Sequence, residues 1–231
     1  MKLKRLKWDS EFFGLRIGRI DISFEAESHV LEKQFQYINE EFDLLYVSAR
    51  HGLCFSAPGA KLVDQKVVYS MTIPNCCKPS NQVVLWDSFQ GVTDDLLHLA
   101  LLSGEYSRFK TDEKLPLNSY ERLYSRWIEQ SVNHNLATEV FCYMIENIPR
   151  GLVTLDFKNG VGTIGLVAIH EDFQRQGIGT SMMKHVISFV QQKKGHKVSV
   201  ATQLDNVPAC RLYEKNGFTM ESVNDIWHWW L

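Results

Sequence analysis

Residues 174 to 179 read Gln174-Arg175-Gln176-Gly177-Ile178-Gly179, at the junction between an apolar, β-like segment and an amphipathic helix. Two glycines one residue apart let the backbone curl tightly, so several N–H groups point at one spot. The positive end of the helix that follows adds to their pull on an anion. The chemistry this predicts is the cradling of a pyrophosphate, and it implies an anionic cofactor. The competing reading is an ordinary loop with a glycine near a helix start, and the elements on either side decide between the two.

Upstream, Thr163 to Ile169 is rich in β-branched and apolar residues, which suits a buried strand. Downstream, Ile178, Met182, Val186 and Val190 fall four apart with Met183 and Ile187 beside them, whereas Ser181, Lys184, His185, Ser188 and Gln191 face the other way. Gly195 suits the end of this helix. Strand, glycine turn and long helix describe a nucleotide-binding start. No Gly-Lys-Ser/Thr follows, so the turn is not a Walker loop, and it lacks the third glycine and the downstream acidic strand end of a dinucleotide fingerprint. Val198 to Gln203 predicts a further strand, and Asn206 to Phe218 a short helix: Asp205 or Asn206 can cap it, Pro208 suits its first turn and Gly217 its left-handed end.

A strand with Q-x-x-G-x-G, a helix, a strand and then N-x-x-A-x-x-x-Y-E-K-x-G-F resembles the acetyl-CoA core of the GCN5-related N-acetyltransferase (GNAT) superfamily. The resemblance implies an α/β fold with a mixed central sheet and a splayed strand pair that binds acetyl-CoA. It places Val167, Ala168 and Ile169 along the pantetheine arm, and the amides of Gln174, Arg175, Gln176, Gly177, Ile178, Gly179 and Thr180 around the pyrophosphate. The Asn206 side chain would touch the pantetheine arm, and Tyr213 would lie near the thioester sulfur. The second position of the loop, often glycine in the family, is Arg175 here. Lys184, Lys193, Lys194 and Lys197 suit either a cofactor 3′-phosphate or a solvated face.

Acetyl transfer needs a neutral amine, a polarised carbonyl and a protonated leaving sulfur. Tyr213 is the candidate acid, because a phenol with an ordinary pKa of about 10 can share a proton with the departing sulfur; the alternative is a half-buried tyrosine packing on the strand. Strand N–H groups near Val167 suit an oxyanion hole. Glu139, Asp156, His170 and Glu171 sit near strand ends but read as surface residues, and the sequence names no base.

With 231 residues, 45% of them hydrophobic, 23% charged and a net charge of −2, the chain reads as globular, with no general attraction to nucleic acid or membrane. The basic start is followed by no signal-peptide core and no run reaches spanning length, so a cytoplasmic protein is expected. Cys54, Cys76, Cys77, Cys142 and Cys210 form no C-x-x-C pair, so neither a disulfide framework nor a metal site is expected.

The prolines of 73–80 suggest a boundary between a small N-terminal α/β domain (1–80) and the acetyltransferase domain (81–231). Before it, a strand around Leu15 to Ile22, a helix around Glu27 to Phe42, a strand at Leu44 to Ala49 and a strand at Val67 to Ile73 are expected. After it come a strand at Val83 to Trp86, a helix through about Ser103 capped by Thr93, a helix from about Ser119 to Asn133, and a hairpin of Glu139 to Ile145 with Gly151 to Phe157. The resemblance implies that the polar loop from Ser107 to Asp112 belongs to the acceptor wall; there Arg108 can pair with phosphate and Phe109 can stack on a flat ring or sugar face, and pinning of the loop is the other reading. The W-D-S-E-F-F-G opening, the S-R-F loop, L-Y-S-R-W-I-E, V-A-T-Q-x-x-N and R-L-Y together resemble the GNAT enzymes that acetylate nucleotide-linked 4-amino-deoxysugars of the dTDP-4-amino-4,6-dideoxygalactose type for surface polysaccharide. The acceptor this implies is a small-molecule nucleotide sugar. A protein amine or polyamine acceptor, and a non-catalytic acetyl-CoA-binding module, are the alternatives. In the terminal strand Trp227 and Trp229 fall on one face and Trp230 on the other, which fits either a homodimer or a fully buried strand.

Overall fold

The computed structural model describes residues 3–23, 38, 40–53, 55–74 and 79–231. Ten strands form one sheet: β1 (Leu3–Arg5), β2 (Ile17–Ile22), β3 (Leu44–Arg50), β4 (Ala60–Thr72), β5 (Val83–Leu85), β6 (Glu139–Ile145), β7 (Ile148–Lys158), β8 (Val161–Ile169), β9 (Lys197–Gln203) and β10 (Thr219–Trp230). Their order is β1-β2-β3-β10-β4-β9-β8-β7-β6-β5. The sheet is mixed: β2 with β3 and β8 with β9 are parallel, and all other neighbours are antiparallel.

Among the described residues six helices are fully delimited and flank it: α1 (Lys7–Phe13), α2 (Asp94–Ser103), α3 (Arg108–Thr111), α4 (Ser119–Val132), α5 (Ile178–Gln192) and α6 (Val207–Lys215). α2 and α4 share a core with Leu152, Leu166 and Ala168. α5 and α6 share another with Val153, Ile164, Val198 and Val200. Alternate residues of one strand thus serve opposite layers, as the pleat demands. α5 buries the stripe read from the sequence, Ile178, Met182, Met183, Val186, Ile187 and Val190. α2 starts where expected, with the Thr93 hydroxyl accepting the Leu96 N–H at 3.3 Å.

Strands on both sides of residue 80 belong to the same sheet, because β10 lies between β3 and β4 and pairs with each. The expected helix at 27–42 falls largely outside the described residues; Ile38, Glu40 and Glu41 of it are helical. Residues 75–78 of the expected boundary also lie outside them, as do Cys54, Cys76 and Cys77. The expected terminal strand of 226–231 is the second half of β10. Trp227 and Trp229 pack with Ile20, Val47 and Phe55 in a third core cluster, while Trp230 on the other face packs against the first. Both faces are therefore covered within one chain. Among the described residues no helix is long and apolar enough to cross a membrane.

Candidate active site

β8 and β9 part company halfway along. Their parallel pairing runs only from Val161–Lys197 to Ile164–Val200, although β8 continues to Ile169 and β9 to Gln203. The cause is a bulge. Between the pairs Val153–Val167 and Leu155–Ile164, two residues, Gly165 and Leu166, oppose the single Thr154. The Thr154 hydroxyl takes up the displaced Leu166 N–H at 2.8 Å. A Cβ on Gly165 would come within 2.8 Å of that hydroxyl oxygen, so the bulge needs glycine there. The added twist swings the end of β8 away from β9 and leaves its facing edge, through Val167, Ala168 and Ile169, bordering a cleft of about 990 Å³. An extended amide chain fits such an edge as an extra strand would.

At the top of β8 the chain turns through Glu171–Phe173 into the glycine loop. The loop is braced by its own side chains: Gln174 Nε2 donates to the Ile169 carbonyl and Gln176 Nε2 to that of Asp172, each at 3.2 Å. Arg175 and Gly177 both take left-handed backbone angles, φ +61° and +85°. Arg175 thus adopts at some strain the conformation for which glycine is better suited. No side chain caps α5, and its first bond runs from the Ser181 N–H to the Gly177 carbonyl at 3.0 Å. The amides of Ile178, Gly179 and Thr180 are therefore left for a ligand. Gln174, Arg175, Gly177, Ile178, Gly179 and Thr180 line the cleft; Gln176 does not. A β-branched residue at 177 would oppose the left-handed turn. Gly177→Val is expected to weaken acetyl-CoA binding about 5- to 30-fold, from roughly 1–2 kcal/mol of backbone strain, measured by calorimetric titration.

The opposite side of the seam is α6. Asn206 caps it, its Oδ1 accepting the Ala209 N–H at 3.2 Å, which leaves its amide nitrogen for the cleft. Tyr213 also lines the cleft and is 3% exposed, its ring 5.8 Å from both Tyr69 and Phe218. Burial, and secondarily the neighbouring Cys210, push its phenol above the ordinary range. It therefore holds its proton at every working pH.

The third wall is built by β4, α3 and α4. The expected polar loop is a single helical turn, with the Ser107 hydroxyl accepting the Phe109 N–H at 3.2 Å. Arg108 and Phe109 both border the cleft. Phe109, however, is 8% exposed and stacked on Phe13 at 5.6 Å. The Arg108 guanidinium lies 4.4 Å from the Phe109 ring centre and 5.1 Å from that of Tyr46. It also stands 3.6 Å from Asp64 Oδ2. The phenylalanine anchors the turn from within the core, because an apolar ring beside Phe13, Tyr46 and Trp127 gains more there than in water.

Asp64 and Lys66, which the sequence reading did not single out, line the same wall. Of the four strand-end groups considered earlier, Glu139, Asp156, His170 and Glu171, none borders the cleft. Asp156 pairs with Lys158 at 2.9 Å, Glu171 lies 3.1 Å from His98 Nε2, and His170 Nδ1 accepts the Asp172 N–H at 3.3 Å. Cys142 and Cys210 are buried, and burial pushes the Cys142 thiol up to about 12, so it is no nucleophile.

Residues 101–218 match the model of the acetyltransferase (GNAT) family. The chain is similar to the dTDP-fucosamine acetyltransferase of Escherichia coli O6:H1, 24% identical over 227 residues that cover 96% of this chain and 95% of that protein. It is also similar to the spore coat polysaccharide biosynthesis protein SpsD of Bacillus subtilis, 26% identical over 140 residues, 61% of this chain but only 48% of that protein. The chain thus spans about half the length of SpsD. The crystal structure of a putative acetyltransferase of the GNAT family from Novosphingobium aromaticivorans shares the fold, with a TM-score of 0.52 at 13% identity, covering 82% of this chain and 75% of that one.

Proposed function

The chain belongs to the acetyltransferase (GNAT) family and uses acetyl-CoA, and on that premise we propose that it acetylates the amine of a nucleotide-linked amino-deoxysugar of the dTDP-4-amino-4,6-dideoxygalactose type, in the making of a surface-polysaccharide precursor. The observation that carries this reading is the near full-length likeness to a dTDP-fucosamine acetyltransferase, which covers 96% of this chain and so reaches well beyond the cofactor-binding core.

Bound acetyl-CoA supplies an acetyl group activated as a thioester. The chain's own groups do the rest. The free edge of β8 at Val167 to Ile169 orients the pantetheine arm, and the unfilled amides of Ile178, Gly179 and Thr180 neutralise the pyrophosphate, the Gln174 N–H being taken by the Glu171 carbonyl at 3.4 Å. Strand N–H groups near Val167 stabilise negative charge on the reacting carbonyl oxygen. Tyr213, protonated because it is buried, donates to the departing sulfur.

On the acceptor side Arg108 meets a phosphate of the nucleotide, its planar fork suited to two parallel bonds. Replacing Arg108 with Ala should raise the acceptor KM about tenfold or more, the size of a lost charge-assisted hydrogen bond of roughly 1.5–3 kcal/mol, with acetyl-CoA affinity unchanged. A shift in acetyl-CoA affinity instead would put the acceptor pocket elsewhere. The reading itself is tested by mass spectrometry of dTDP-4-amino-4,6-dideoxygalactose after incubation with enzyme and acetyl-CoA. The acetylated sugar is expected, and recovery of only the free amine rejects it.

A further inference from the structure

We propose that Asp64 is the catalytic base of this enzyme, its carboxylate receiving the proton of the incoming ammonium from the wall of the cleft that faces the β8/β9 seam. The inference rests on the acetyltransferase reading above, but not on which amine is the acceptor. Asp64 sits on β4, the strand next to β9. Lys66, two residues on, pairs with Gln203 at the last position of β9, so Asp64 lies just beyond the point where β9 ends and the chain turns into the helix of Tyr213. It borders the cleft although its side chain is only 2% exposed.

Its hydrogen bonding is incomplete. Oδ1 is buried without a partner, whereas Oδ2 faces the Arg108 guanidinium at 3.6 Å, beyond hydrogen-bonding reach, and the carboxylate's one side-chain hydrogen bond comes from Gln203 at the end of β9. The structural carboxylates of this sheet look different. Asp225 accepts from Gly52 N–H and Gln65 and lies 2.8 Å from His51 Nδ1. Asp112 accepts from Lys114 N–H and Trp230 and lies 2.5 Å from His228 Nδ1. A buried carboxylate oxygen left open in a ligand cleft is ready for a donor that arrives with the substrate. The other carboxylate of the cleft, Glu105, is taken by Lys110 at 2.7 Å.

Burial raises the Asp64 carboxyl to about 6 against the opposing pull of Arg108 from α3 and Lys66 from its own strand. Asp205, beyond β9, pushes in the same direction as burial, and Gln203 opposes it. Tyr124 of α4 is within electrostatic reach. The group is thus ionised at neutral pH and still basic enough to take a proton.

The ammonium loses one proton to Asp64. Its nitrogen lone pair forms the C–N bond as the C–S bond breaks. The sulfur leaves with the Tyr213 proton, the second nitrogen proton replaces that one on Tyr213, and Asp64 returns its proton to water. The products are amide, thiol and one released proton.

The test is the pH dependence of kcat/KM for wild type, Asp64→Asn and Asp64→Glu with amines of different pKa. Wild type should show an acidic limb near pH 6 that stays fixed while the limb of the amine moves. Asp64→Asn should lose that limb and fall about 10²- to 10³-fold at pH 7, with the deficit shrinking as pH approaches the pKa of the amine. Asp64→Glu should keep the limb. Acetyl-CoA affinity should not move. A deficit equal at all pH values, or none, overturns the proposal, as does a wild-type profile without the fixed limb. Turnover on peptides or polyamines alone would reject the sugar acceptor and leave the Asp64 limb to be read on those amines. Silence on every amine overturns both.

Discussion

Replacing Tyr213 with Phe should lower kcat about 10²- to 10⁴-fold while acetyl-CoA binds as before. The expectation follows from what the substitution changes. The ring keeps its neighbours, Tyr69 and Phe218, each 5.8 Å away, so the packing of α6 on the sheet survives. Only the hydroxyl is lost, and with it the proton that the departing thiolate would take. Because burial holds the phenol above its ordinary range, it is fully protonated at neutral pH and can act as an acid without prior activation. Single-turnover kinetics beside equilibrium binding of acetyl-CoA separates the two effects. Equal turnover in the variant would remove Tyr213 from the acid role and leave it a packing residue.

Trp229→Ala is expected to cost about 3–5 kcal/mol of stability. Trp229 is fully buried, meets Phe55 edge-on at 5.6 Å, and donates from its indole N–H to the Pro58 carbonyl at 3.0 Å. It lies on β10, which joins β3 to β4 and so ties the first strands of the chain to the cofactor-binding ones. For a chain of this size that cost corresponds to a fall in Tm of roughly 6–20 °C. Calorimetry should show it as a shift of one cooperative transition. A change under 1 kcal/mol would mean that the pocket around the indole collapses without strain and that β10 is held by its backbone pairing alone.

The cofactor side of the site was legible because its signals are local. Gly177 and Gly217 mark left-handed turns, at φ +85° and +87°; the α5 stripe repeats every three to four residues; and Asn206 and Pro208 start α6. The acceptor side was not. β4 begins at Ala60, yet Lys61, Asp64, Gln65 and Lys66 break the apolar alternation by which a strand is recognised, so only its end from Val67 was read. Asp64 is buried beside Ile226 of β10, which comes more than a hundred residues later in the chain. The only clue to it was a charged pair leading straight into Val67, Val68 and Tyr69. For Phe109 the sequence leaves two readings open, stacking on the acceptor and pinning of the loop, and its burial supports the second. Its polar neighbours suggest an exposed loop, whereas the cluster that buries it is assembled from α1, β3 and α4. The splay of β8 from β9 also has a local mark, Gly165 opposite Thr154, but its meaning depends on the register of β7 against β8.

The measurement that tests the account most directly is the rate of free-thiol release from acetyl-CoA across dTDP-4-amino and dTDP-3-amino dideoxysugars, polyamines and peptides, compared as kcat/KM. The account predicts turnover confined to the amino sugars, with the 4-amino isomer preferred. Turnover on peptides or polyamines at equal or greater efficiency would contradict it.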